Sequence, residues 1–149
     1  LTPHFKLREF FVSHDHPELI ETFKPTLDGV VKLLWLSTLL EIIRGDVFSD
    51  NRFIITSGYR TFKLNERVGG SPTSQHLFYE AADFRVENYE QSTAFENIRR
   101  YLTKTEIPFG QLKTIRKGEG TVGIHLSLPF VRDGGLRKNE VLDGDKEIA

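Results

Sequence analysis

Ser74-Gln75-His76-Leu77-Phe78-Tyr79-Glu80-Ala81-Ala82-Asp83 decides how this chain reads. The segment holds a histidine and an aspartate seven positions apart. A third candidate, His125, stands in Thr121-Val-Gly-Ile-His125-Leu-Ser127-Leu128. Two histidines and one carboxylate are the donor types that zinc takes at an open catalytic site, where water fills the fourth position.

Alternation along two predicted strands tells where these residues point. Successive side chains of a strand face opposite sides. In the later segment Val122, Ile124, Leu126 and Leu128 share one parity, and Thr121, Gly123, His125 and Ser127 share the other. The apolar set belongs to the core, so His125 faces away from it. From Ala82 to Val86, the residues Ala82, Phe84 and Val86 take the buried parity, and Asp83 and Arg85 the polar one. Asp83 and His125 therefore can share one face of an antiparallel sheet, with His76 in the loop just before it. Small residues on both sides (Gly69, Gly70, Ala81 and Ala82) permit a close approach of loop and sheet. Pattern alone leaves a second reading open, in which His76 is a plain loop histidine and His125 a strand histidine with a structural partner.

The remaining elements form one domain. At 149 residues, with 38% apolar residues and 12 Phe, the chain is long enough for a single core without disulfides. It has no cysteine, which removes a Cys-based zinc site and a disulfide framework and says nothing of the redox compartment. No apolar run is long enough to span a membrane, and no signal-peptide succession is visible at the N-terminus. A net charge of −1 gives no general pull toward nucleic acid. Arg99, Arg100, Lys104, Lys113, Arg116 and Lys117 read as solvated surface, and His14 and His16 as a polar turn. Helical spacing of Leu27, Val30, Val31, Leu34, Trp35, Leu39, Ile42 and Ile43 predicts the main core helix from about residue 25 to 44. Pro25 is expected in its first turn and Gly45 at its stop. A strand is expected over Phe53–Ser57, one or two helical turns over Phe62–Val68, and a second long helix over Ser92–Thr103. Residues 1–131 are expected to form the domain, with 132–149 a polar, surface-running or disordered tail.

Ser57-Gly-Tyr-Arg60, Asn65, Val68-Gly-Gly-Ser-Pro72, Ser74-Gln-His76, Ala81-Ala-Asp83 and Ile124-His125 together resemble the zinc D-Ala-D-Ala carboxypeptidase family, which includes murein endopeptidases and phage endolysins. The opening Leu1-Thr-Pro-His-Phe-Lys-Leu-Arg-Glu-Phe10 is similar to phage-type members. The family hallmark is Ser-x-His-x-x-Gly-x-Ala-x-Asp, matched by Ser74, His76, Ala81 and Asp83. The resemblance implies an α+β fold, a small antiparallel sheet with helices packed on one side, related to the hedgehog signalling domain. It implies zinc as cofactor, bound by His76, Asp83 and His125. It implies that Arg60 is catalytic, holding a substrate carboxylate or the developing oxyanion, and that Ser74 and Gln75 line the substrate site. An alternative for Arg60 is a structural salt bridge to Glu80 or Asp83.

The implied activity is hydrolysis of peptide bonds in peptidoglycan stem peptides, by a monomer acting at the bacterial cell wall or periplasm, with no nucleic-acid partner and no membrane insertion. Two departures stand against the pattern. Tyr79 occupies the hallmark glycine position, where it is expected to reshape the loop or reach over the cleft. The positions from which family members supply a general base are Val122 and Gly123, neither of which takes a proton. Glu119 is the nearest carboxylate in sequence, and Glu80 a weaker candidate. The absent base supports an alternative: an inactive zinc-binding domain that binds cell-wall peptide or a protein partner.

Overall fold

The computed structural model describes every residue except 21, 50, 133, 134 and 149, and only the backbone of 131, 132, 135–137 and 147. Its centre is a six-stranded sheet in the order β1-β2-β4-β3-β7-β8. The strands are β1 (Phe53–Ser57), β2 (Ala81–Val86), β3 (Gln111–Lys117), β4 (Gly120–Ser127), β7 (Glu140–Asp143) and β8 (Lys146–Glu147). All neighbours run antiparallel except β3 and β7, which are parallel. A separate ribbon joins β5 (Phe130–Arg132) to β6 (Gly135–Arg137). The expected α+β class with an antiparallel sheet is what the chain adopts.

Of the three α-helices among the described residues, α2 (Phe62–Arg67) is a short one after β1, and the other two cover one face of the sheet. Helix α3 (Gln91–Thr105) buries Ala94, Phe95, Ile98 and Leu102, the stripe that its spacing predicts. Helix α1 (Leu27–Phe48) buries Leu33, Leu36, Leu39, Leu40, Ile43 and Phe48. Between them and the strands lie Phe84, Leu112, Ile124 and Leu126, all fully buried. The inward parity of β2 and β4 is the one expected from alternation. Val122 departs from it and is exposed, because the β3–β4 register shifts between Ile115 and Arg116, next to the hairpin end.

Helix α1 differs from its sequence reading in bounds and in face. Thr26 caps it, its hydroxyl accepting from the Gly29 N–H, so Pro25 lies outside the first turn. The helix runs through Gly45 and ends at Ser49, which takes the left-handed conformation at φ 49°. Leu27, Val31, Leu34, Trp35 and Ile42 are exposed rather than buried. The helix is apolar on both sides, and its charges do not mark the outer one: Arg44 is buried and Lys32 reaches back to pair with Glu80 at 3.0 Å. Periodicity therefore finds the helix without choosing its inner face.

The stretch read as a polar tail contributes β7 and β8. Backbone pairing of Glu140 through Asp143 with Gln111 through Thr114 extends the sheet beyond β3. Strand β3 itself was not expected from its sequence, in which three cations (Lys113, Arg116 and Lys117) obscure the inward Leu112 and Thr114.

Candidate metal centre

The face of the sheet opposite the helices carries the site. One transverse row of backbone partners crosses it: Ser57 beside Asp83, Asp83 beside His125, His125 beside Lys113, and Lys113 beside Leu142. Asp83 and His125 are thus direct cross-strand neighbours, on the shared face that alternation predicts. His76 enters from a short 3-10 helix, Gln75–Phe78, immediately before β2.

The three side chains converge. The Asp83 Oδ1 atom lies 2.7 Å from His125 Nδ1 and 3.2 Å from His76 Nε2. One ligand atom from each residue lies within 4.8 Å of the other two, and this is the group among the described residues able to hold a metal ion. Tetrahedral zinc bonds of about 2.0–2.1 Å separate ligand atoms by roughly 3.3–3.4 Å, so this donor set fits zinc. His76 is also fixed from behind. Its Nδ1 contacts the Gly58 carbonyl at 2.6 Å, so the N–H resides there and the Nε2 lone pair faces Asp83. His14 and His16 take no part in this group.

Local sequence explains the positioning of His76. Ser74 caps the 3-10 turn, its Oγ accepting from the His76 N–H at 3.3 Å. The His76 carbonyl accepts the Arg60 N–H at 3.0 Å. Gly58 must be glycine, since a Cβ there would lie 2.4 Å from the Phe10 carbonyl oxygen. Gln75 turns onto β4's end, donating to the Leu128 carbonyl at 2.8 Å, and its side-chain oxygen is buried without a hydrogen-bond partner. Ser74 and Gln75 both border the cleft, and the bonds they make here hold the loop that carries His76.

Arg60 lies beside this cluster. Its guanidinium donates to Ser57 Oγ at 3.2 Å, to Asn65 Oδ1 at 3.4 Å and to Asp83 Oδ2 at 3.4 Å. The expected alternative pairing with Asp83 is therefore present, and the same group borders the open cleft. Asn65 in turn donates to the Ser71 carbonyl at 2.9 Å, closing the glycine-rich loop around Arg60. A Cβ at Gly70 would lie 2.0 Å from Asn65 Oδ1, so that loop also requires its glycine.

Charge is distributed unevenly in this cluster. Burial pushes the Asp83 carboxyl up, but its close contacts with His76 and His125 outweigh it and hold Asp83 well below the usual carboxylate range. His125 is pushed down, first by burial and then by its neighbours His76 and Lys113, against the opposing pull of Asp83. An anionic Asp83 and a neutral His125 are the forms in which a carboxylate and an imidazole bind a divalent cation.

Tyr79 takes the backbone conformation that explains the family's glycine, with φ 61°. Its ring does not cover the cleft. It turns into an aromatic cluster, stacked on Tyr59 at 4.1 Å and beside Phe11 and Phe23. The room for it comes from Gly29, where a Cβ would meet the ring at 2.5 Å.

A cleft of about 670 Å³ opens over the cluster. Besides the ligands and Arg60 it is bordered by Gln111, Lys113 and Arg116 of β3 and by Glu140 and Asp145 of the C-terminal hairpin. Sequence reasoning placed Lys113 and Arg116 on plain surface. The alternation Gln111-Leu-Lys113-Thr-Ile115 was the signal available for Lys113; Arg116 has the other parity and reaches the cleft only past the register shift after Ile115. Glu119 sits in the β3–β4 turn, outside the cleft lining, with its carbonyl accepting from Arg116. Glu80 is paired with Lys32.

The family model described as Peptidase M15 matches residues 3–116. That span includes Arg60, His76 and Asp83 and stops short of His125. No curated protein matches the chain. Zinc-dependent hydrolysis is the chemistry of that family, and a His-Asp-His group suited to the ion stands where the geometry requires it. With more than half of its length matched, the chain belongs to the peptidase M15 family.

Proposed function

We propose that this chain is a zinc-dependent peptidase that hydrolyses peptide bonds in peptidoglycan stem peptides. It acts as a monomer at the bacterial cell wall, as a carboxypeptidase or endopeptidase of the endolysin type. The observation that carries the reading is the convergence of His76, Asp83 and His125 at the floor of an open cleft, with Arg60 beside them.

Zinc bound there supplies a water of pKa about 7 and polarises the scissile carbonyl. The chain's own residues do the rest. His76 is held in one tautomer by Gly58, and His125 and Asp83 are held in register by β2 and β4. Arg60 presents a permanently charged fork, anchored by Ser57 and Asn65, to the oxygen that gains charge in the tetrahedral intermediate or to a substrate carboxylate. Ser74 and Gln75 keep the His76 loop closed against the sheet.

A second reading, an inactive zinc domain that binds cell-wall peptide, is favoured by one observation. Val122 and Gly123 stand where relatives carry a base, and Glu119 is outside the cleft. Digestion of purified murein with the zinc-loaded chain, followed by mass analysis of the products, separates the two. New stem-peptide ends are expected. Their absence from every murein chemotype, with zinc bound, supports the binding module.

A further inference from the structure

Lys113 is a cation at the metal centre that neither the family pattern nor the mechanism above uses. It is the direct backbone partner of His125, on the same face of the sheet, and borders the cleft. Strands lie about 4.8 Å apart, so Lys113 stands roughly 7 Å from the midpoint between Asp83 and His125. Arg60 follows β1 and lies on the other side of that midpoint. The metal ligands are therefore flanked by one cation on each side.

The partners of these cations differ. Arg60 is held by Ser57, Asn65 and Asp83. Arg116, further along β3, is held by Thr121, Asp143 and the Glu119 carbonyl. Lys113 bonds Asp145, at 2.7 Å, and the Asp145 side chain is 97% exposed. An ion pair with one member in water contributes about 0–1 kcal/mol, so a competing carboxylate exchanges for it at little cost.

Asp145 is brought there by construction. Strand β7 pairs with β3, Asp143 accepts from the Thr114 hydroxyl at 2.6 Å, and that same hydroxyl accepts the Gly144 N–H at 2.8 Å. Gly144 takes φ 61° and turns the chain so that the next residue meets Lys113. The C-terminal hairpin thus presents a carboxylate to the cleft in the place where a ligand's carboxylate would lie.

We propose that Lys113 is a carboxylate-binding subsite, occupied in the free protein by Asp145 as an internal stand-in. Its ligand is a peptide carrying a free carboxylate close to the reacting carbonyl, since Lys113 stands one strand away from His125 and borders the same cleft. This deepens the peptidase reading and rests on it for the position of the reacting bond. The carboxylate is either the peptide's C-terminus or a side branch within the stem.

The test is calorimetric binding of a synthetic stem pentapeptide to the zinc-loaded full chain. The peptide is used with all carboxylates free, amidated at its C-terminus, and amidated at its internal glutamate. One of the two amides should bind about fivefold more weakly than the free peptide, and which one does so identifies the source. Lys113→Met should abolish that preference, and Lys113→Arg should keep it. Asp145→Asn should tighten the free peptide by a few fold and leave the disfavoured amide unchanged. Zinc content serves as the control for folding. A preference that survives Lys113→Met overturns the proposal, as does an Asp145→Asn variant that binds like the parent, or a parent that binds none of the peptides. A Lys113-dependent preference without any hydrolysis leaves the subsite standing and removes the peptidase reading. Hydrolysis with a preference indifferent to Lys113 does the reverse.

Discussion

Replacing Tyr79 by the glycine its family position calls for should destabilise this chain. Tyr79 sits at φ 61°, a conformation that costs a residue with a Cβ about 1–2 kcal/mol, and glycine relieves that cost. Against this, the ring is 8% exposed and packs among Tyr59, Phe11 and Phe23. Removing a buried aromatic ring costs about 3–5 kcal/mol. Glycine's extra freedom in the unfolded chain adds about 0.5–1 kcal/mol. The net expectation is a loss of about 1.5–5 kcal/mol. At roughly 2–4 °C per kcal/mol for a domain of this size, Tm should fall by about 3–20 °C. Urea unfolding of the metal-free chain gives the free energy directly, without the contribution of a bound ion. The folded fraction should still bind zinc, because the ring borders the aromatic cluster and not the cleft. Tyr79→Gly as stable as the parent, or more so, would refute the claim that the ring is a core element rather than a strained surface residue.

Three further outcomes are expected. Arg60→Lys should lower kcat/KM for murein peptide by about 10²-fold or more with zinc content unchanged, because an ammonium cannot hold Ser57, Asn65 and Asp83 as one planar fork. Metal-free protein should lose stability as pH falls below about 6.5. The folded-state value of His125 lies below its unfolded one, so its contribution is fully present above the unfolded pKa and is lost as protons bind; a Tm flat from pH 7 to pH 5 would count against a buried neutral His125. Thr26→Ala should cost about 1 kcal/mol in urea unfolding, through loss of the α1 cap that accepts from Gly29; an unchanged midpoint would mean that the cap is not formed.

The parts of this molecule legible in its sequence are those whose pattern is local. Alternation in β2 and β4 aims Asp83 and His125 at one face, and the backbone register makes them direct neighbours. The α3 stripe was readable because its outward positions are charged or polar. Alternation could not supply His76, whose position depends on a turn; the family motif pointed to it, and the Gly58 carbonyl holds its ring. The inner face of α1 was hidden because both its faces are apolar. Strand β7 was hidden for a different reason. Its partner, β3, lies 29 residues away in sequence, from Gln111 to Glu140, and a parallel pairing over that distance leaves no local mark. Missing it meant missing Glu140, Asp145 and the wall of the cleft that they form.

Metal analysis of the purified chain decides whether His76, Asp83 and His125 form a zinc centre. About one zinc per molecule is expected in the parent after dialysis. His76→Ala and Asp83→Ala should each lose most of it while keeping the far-UV spectrum of a folded α+β domain. Full zinc occupancy in either variant, or a folded parent that binds no zinc at any concentration, would contradict the account.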